Sequence, residues 1–253
     1  MTNQELFQSA LSFEAHLEGL KKDINKNQSD KINWYPYGTL HNFSHLNVML
    51  GDRYNLLELM GSKVADIGGS DGDLSFFVES LGIDSDLIEN PVTQHNGLRG
   101  ANALKQRMNS KVNLIETDID RYFEIPATYN LTFFLGILYH LQNPYNVLNN
   151  LKNYTKYCLL STRIAAWAPI VNNDQERTYI GNLPVAYLLD SDECNNDATN
   201  YWIFSKPGLE RILDRTGWDI LAFHCFGDTE NSNPRDGSHD ERYFCLLKSR
   251  LFG

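Results

Sequence analysis

Cysteine is scarce and unpatterned in this chain: Cys158, Cys194, Cys225 and Cys245 form no C-x-x-C pair and have no histidine pair nearby. That spacing excludes a zinc-finger type of metal site and a disulfide framework, and no metal ligand set is expected. Apolar runs long enough to span a bilayer, about 20 residues, are also missing. The first 20 residues carry Glu5, Glu14 and Glu18 where a secretory leader would need an uninterrupted apolar segment. A soluble, cytoplasmic protein without a membrane role is the expectation. Positive charge is in deficit, with 22 Lys and Arg against 32 Asp and Glu and a net charge of −10. Such a surface repels polyanions, which argues against general nucleic-acid binding.

What the chain does have is the stretch Val64-Ala65-Asp66-Ile67-Gly68-Gly69-Ser70-Asp71-Gly72, followed by an amphipathic segment from Asp73 to Ser80. An apolar run ending at an acidic residue, a glycine-rich turn and then helical periodicity predict strand, turn and helix. Gly68, Gly69 and Gly72 let a ligand approach the backbone closely. The following helix N-terminus offers unpaired N–H groups to the same ligand. A second strand is predicted at Leu87-Ile88-Glu89. Its terminal Glu89 lies roughly 20 positions beyond the turn, the spacing at which nucleotide-binding folds place a carboxylate on ribose hydroxyls.

The rest of the chain alternates. Residues from Asn3 to about Lys26 predict an amphipathic helix, and Trp34-Tyr35-Pro36-Tyr37-Gly38 forms an aromatic turn, read either as a packing plug or as a lid. A helical segment is expected from about Ser44 to Met60. Further strands are expected at Val112–Glu116, Leu131–Leu135, Tyr157–Thr162, Trp218–Phe226 and Arg242–Lys248, with helices from after Thr93-Gln94-His95-Asn96 to Gln106, after Asn143-Pro144, and at Lys206–Thr216. This order predicts a parallel sheet with right-handed crossovers. Residues 1–60 are read as a helical cap and 61–253 as the core. An Asn- and Asp-rich insertion at about 166–200 breaks the rhythm as an irregular cover, and 227–241 reads as a polar hairpin loop.

The Asp66/Gly68/Gly72 turn, Glu89 and the run Leu135-Gly136-Ile137-Leu138-Tyr139-His140 together resemble class I S-adenosylmethionine (SAM) dependent methyltransferases, with Ser70 in place of the usual middle glycine. More narrowly, Trp34, the Gly-Ile-Leu-Tyr-His run with Asn143-Pro144 behind it, and Arg242 resemble the tRNA wobble-uridine carboxymethyltransferase (CmoB-like) family. The broad resemblance implies an α/β fold: a Rossmann-like, seven-stranded, mostly parallel sheet with helices on both faces. It also implies SAM as cofactor and S-adenosylhomocysteine (SAH) as product. Gly68 would line the methionine end, Glu89 the ribose, Ile119 and Asp120 the adenine edge, and Leu135 with Tyr139 the region of the transferred group. Asp118 is either a further adenine contact or a helix N-cap. Arg242 would meet the extra carboxylate of carboxy-SAM. The lysine that family has shortly after the tryptophan is replaced here by the neighbourhood of Gly38 and Thr39.

Methyl transfer demands positioning and, for a hydroxyl acceptor, removal of a proton. His140, after the fourth expected strand, is the candidate base or else a structural histidine fixing the turn, and Tyr139 is a candidate positioning group. Trp202 is a candidate wall of an acceptor pocket or a core residue. Arg163 either meets an anionic acceptor or makes a surface ion pair. The expected activity is methyl transfer to oxygen or nitrogen of a small-molecule acceptor. The alternatives are a CmoB-like tRNA-modifying enzyme, a non-catalytic SAM-binding protein and an NAD-type oxidoreductase. Nothing in the sequence sets the oligomeric state.

Overall fold

The structure is a computed structural model that describes residues 1–121, 123–170, 173–235 and 237–252. Val171 and Asn172 of the expected insertion and Asp236 of the expected hairpin loop lie outside the described residues. The chain divides into two compact units, Met1–Phe133 and Phe134–Gly253.

In the first unit, helix α1 (Asn3–Asn27) begins with a capping box: the Thr2 hydroxyl accepts from the Glu5 backbone N–H at 3.1 Å while the Glu5 carboxylate accepts from the Thr2 N–H at 2.8 Å. Leu6, Ala10, Leu17 and Ile24 recur along one face of α1 and are buried. The expected single helix over 44–60 is two, α2 (Asn42–Leu50) and α3 (Leu56–Met60). Gly51, with φ of +52°, ends the first, and the Asn55 side chain caps the second by accepting from the Glu58 N–H.

Strand β1 (Lys63–Ile67), helix α4 (Asp73–Ser80), strand β2 (Asp84–Glu89), helix α5 (Arg99–Met108), strand β3 (Asn113–Glu116) and strand β4 (Tyr129–Leu135) follow, β4 ending two residues inside the second unit. Their order is β3-β2-β1-β4, with parallel pairing throughout. Ile67 pairs with Ile88, so Glu89 stands level with Gly68 at the start of the glycine turn. Leu17, Ile24 and Ile32 share one core cluster with Phe76, Leu87, Leu98 and Leu104, so the N-terminal helix packs as part of this unit.

In the second unit, helix α6 (Pro144–Leu151) precedes β5 (Thr155–Ile164). The insertion is more regular than expected. It forms a hairpin of β6 (Trp167–Ile170) and β7 (Asn173–Tyr179), strand β8 (Ala186–Leu188), the short α7 (Glu193–Asn196) and strand β9 (Trp202–Phe204). Helix α8 (Lys206–Arg215), β10 (Trp218–Gly227) and β11 (Glu241–Ser249) complete the chain. β11 runs antiparallel between β5 and β10, β9 joins β5 in parallel, and β8 pairs antiparallel with β9.

All seven expected strands are present as β1 to β5, β10 and β11, within a mixed α/β fold whose sheet is mostly parallel over its central strands. The insertion adds two strands that were not expected: among the described residues of the second unit, β9 pairs with β5 and β8 with β9. Among the described residues, no helix is long and apolar enough to cross a membrane.

One ion pair fastens α1 to the start of α4. The Lys21 Nζ lies 2.7 Å from Asp73 Oδ2 and 3.2 Å from Glu18, and both Lys21 and Asp73 are buried. Removing one partner of a buried pair strands the other charge and costs about 3–5 kcal/mol. Lys21→Ala is therefore expected to lower the urea-unfolding free energy at pH 7.5 by about that amount, and Asp73→Asn in the same background is expected to recover part of the loss. A Lys21→Ala loss below about 1 kcal/mol, the range of an exposed pair, would mean that this contact does not hold the cap.

Candidate cofactor site

The site in the first unit is built where β1 ends. Gly68, Ser70 and Gly72 all have positive φ, at +69°, +55° and +83°. Glycine adopts that region freely, whereas Ser70 occupies it against the usual side-chain penalty. The conformation is held from outside: the Ser70 N–H donates to Glu89 Oε2 at 3.0 Å, and the Asn90 N–H donates to Oε1 at 3.2 Å. The Gly68 N–H donates to the Ile88 carbonyl and the Gly72 N–H to the Gly69 carbonyl, both at 2.9 Å. Gly69 has no room for a side chain. An added Cβ would land on Asp66 Oδ2 and within 2.7 Å of Leu87 Cδ1.

Four carboxylates surround this turn. Asp66 is 4 % exposed and sits behind it, accepting from the Ser75 hydroxyl at 2.9 Å and from the Ser75 backbone N–H. Asp71, 2 % exposed, accepts from the Tyr35 N–H at 2.7 Å and from Asn96 Nδ2 at 2.8 Å, with His95 Nε2 at 3.7 Å. Asp73 is paired with Lys21, and Glu89 grips Ser70. Trp34 packs against the core cluster of Leu17 and Phe76 with the Lys21 Nζ 5.9 Å from its ring, and its indole N–H is buried with no hydrogen-bond partner among the described residues. Of the sequence candidates, Asp66, the glycines and Glu89 are thus brought together. Asp71 escaped the sequence reading, although an acidic residue inside a glycine turn was a visible signal.

Asp118 closes its own turn. Its carboxylate accepts from the Asp120 N–H at 3.1 Å and pairs with Arg121, three residues on, at 3.1 Å. The expected helix N-cap is not what it forms: among the described residues no helix begins here, and the carboxylate serves only this short turn. Ile119 beside it is buried, and the Thr117 N–H donates to the Glu89 carbonyl, continuing the ladder between β2 and β3.

In the second unit, Leu135 ends β4 and Gly136 turns the chain with φ of +76°, its N–H donating to the Ser161 carbonyl. Residues 138–140 then form one helical turn in which the Tyr139 and His140 rings lie 4.3 Å apart. Arg242 lies against Tyr139, and its Nε is 3.0 Å from Asp240 Oδ2. Arg163 is buried at 2 % exposure, with contacts to Asp240 Oδ1 at 2.7 Å, to Cys194 Sγ at 2.7 Å and to the Asn233 carbonyl at 3.2 Å. Arg163 and Arg242 are directly paired across β5 and β11. Like charges in that position repel, and Asp240 bridges the two, one carboxylate oxygen to each, offsetting part of that repulsion. Trp202 is half-buried on β9 and donates to the Gln142 carbonyl.

The electrostatics of the glycine turn favour a cation. Burial pushes Asp66 up to about 7, partly offset by its bonds from Ser75. It pushes Glu89 to about 7 as well, partly offset by the Ser70 and Asn90 N–H groups. A diphosphate would meet carboxylates here, and the N–H groups of Gly68, Ser70, Gly72 and Ser75 are already given to other acceptors. A ligand with positive charge and hydroxyl donors fits this surface better.

Raised carboxylates also set a pH dependence. The folded chain holds protons on Asp66 and Glu89 that the unfolded chain has released, so their contribution is full below about pH 4 and is lost as pH rises through about 7. Urea unfolding at pH 5, 6, 7 and 8 is expected to show falling stability for the ligand-free protein, with a shallower slope in Asp66→Asn. Stability that rises over this range would contradict the assignment.

No family model and no curated protein matches the chain. Solved structures do. The N-terminal domain of EvdMO1 with SAH bound aligns at a TM-score of 0.56, with 13 % identity over 99 % of this chain and 98 % of that one. The same domain in the presence of SAH and D-fucose aligns at 0.53, with 14 % identity over 76 % and 79 %. The PH0226 protein from Pyrococcus horikoshii OT3 aligns at 0.50, with 14 % identity over 82 % and 91 %. With the strand order and the glycine turn described above, these likenesses give the chain the fold of class I SAM-dependent methyltransferases.

Proposed function

We propose that this chain is a SAM-dependent methyltransferase that methylates an oxygen or nitrogen of a small-molecule acceptor and releases SAH. The observation that carries the reading is the acidic glycine turn at the end of β1, with Glu89 level with it. SAM brings a sulfonium, an ammonium and one carboxylate, a net positive charge that suits Asp66, Asp71, Asp73 and Glu89 around the turn. NAD brings a diphosphate that does not. The likeness to a domain solved with SAH and D-fucose supports SAM as the donor and a hydroxylated small molecule as the acceptor.

In this reading Gly68, Gly69 and Gly72 let the methionine end lie on the backbone, and Glu89 accepts from the ribose hydroxyls. Ile119 and Asp120 border the adenine. Bound SAM supplies a sulfonium that makes its methyl group electrophilic. The protein's part is to hold the donor, exclude water and take the acceptor's proton, the last assigned to His140 with Tyr139 as a positioning group. Plain SAM is the proposed donor, because Arg242, the candidate for an extra carboxylate, is already paired with Asp240.

Calorimetric titration with SAM, SAH and NAD tests this. SAM and SAH are expected to bind and NAD is not. Gly69→Ala, whose methyl would displace Asp66, is expected to weaken SAM by about 100-fold, roughly 2.8 kcal/mol. Because ionised Glu89 and Asp66 attract the sulfonium, SAM is expected to gain more affinity than SAH between pH 6 and pH 8. NAD binding in place of SAM, or no binding of either, would overturn the proposal.

A further inference from the structure

The residues around His140 carry more than its position after β4. His140 Nδ1 lies 3.1 Å from the Thr199 backbone carbonyl and 3.1 Å from the Thr199 hydroxyl. That hydroxyl is 2.7 Å from Asp197 Oδ1, which also accepts from the Thr199 N–H at 2.9 Å. Counting protons settles the direction of each bond. A carbonyl and an ionised carboxylate only accept, and the single hydroxyl proton of Thr199 goes to Asp197. The remaining partner of both Thr199 oxygens must be a donor, so Nδ1 carries the proton and Nε2 carries the lone pair.

The segment bearing this pair is strapped in place. The Tyr201 N–H donates to the Tyr139 carbonyl at 2.7 Å, Trp202 Nε1 donates to the Gln142 carbonyl at 3.3 Å, and Gln142 Nε2 donates to the Tyr201 hydroxyl at 2.9 Å. Among the described residues Nε2 of His140 makes no hydrogen bond, and the imidazole is half-buried. Asp197 from the insertion, Arg242 from β11 and the neighbouring Tyr139 are the ionisable groups that face it.

We infer that Asp197 and Thr199 form a relay that fixes His140 in the Nδ1–H tautomer and presents Nε2 as the proton acceptor for the transfer, making both of them positioning residues contributed by the insertion. This rests on the methyltransferase reading for the source of the proton. In that reading the acceptor's lone pair would take the methyl group as the carbon–sulfur bond breaks, its electron pair staying on the sulfur of the departing SAH, while the acceptor's O–H or N–H bond breaks and the proton goes to Nε2. The resulting imidazolium keeps its Nδ1–H on Thr199, is stabilised by the Asp197 charge and returns the extra proton to solvent. Burial holds His140 below the ordinary imidazole range, so the base form is present at neutral pH.

Long-range proton–nitrogen NMR of the histidine rings in the ¹⁵N-labelled full chain, with the His140 signals assigned by their loss in His140→Gln, reads this without any acceptor. The expected result is the Nδ1–H pattern for neutral His140 and a fall in its pKa in both Asp197→Asn and Thr199→Val, with Thr199→Ser restoring the wild-type value. An Nε2–H pattern, or a pKa unmoved by both variants, would overturn the relay. SAM titration of the same samples separates the two readings. SAM binding with the wrong tautomer removes the relay alone, whereas absent SAM binding removes the methyltransferase reading and with it the proton's source.

Discussion

The hydrogen bond from the Ser70 N–H to Glu89 joins the turn after β1 to the end of β2, and the geometry of the candidate site depends on it. Three residues of that turn have positive φ, and one of them is not a glycine. Left to itself such a loop would relax toward ordinary backbone conformations. Glu89 prevents this from one side. Asp66 prevents it from the other, filling the space where Gly69 lacks a side chain and bonding to Ser75 in the first turn of α4. The parallel register of β1 and β2 brings the two carboxylates to the same level.

Burying carboxylates is unfavourable unless each is bonded, and the first unit meets that requirement with groups from its N-terminal part. Lys21 of α1 pairs with Asp73, and the Tyr35 backbone N–H bonds to Asp71. The segment expected as a helical cap with an aromatic plug or lid therefore completes the acidic turn. In the second unit Asp240 does comparable work, bridging two arginines that the β5–β11 register places opposite each other.

The fold was legible where the cause is local. Helix α4 has the predicted ends and strand β1 falls on the predicted apolar run, because that run and the glycines after it mark them. The break at Gly51 was missed, since the positive φ of one glycine inside a helical pattern leaves no periodic trace. The insertion was read as irregular because β6 to β9 are short and are held by pairing with one another and with β5 rather than by an alternating pattern. Partners distant in sequence were invisible: Asp71 for His95, Asp240 for Arg163 and Thr199 for His140. Glu89 was found because its spacing from the turn is set by one helix and one strand, a local constraint.

The most direct test of the central claim is a crystal structure of the chain with SAH. The account predicts SAH on the glycine turn, with its ribose hydroxyls donating to Glu89 and its amino acid end over Gly68 and Gly69. SAH bound away from Glu89, or a turn that stays closed to it at saturating concentration, would contradict the account.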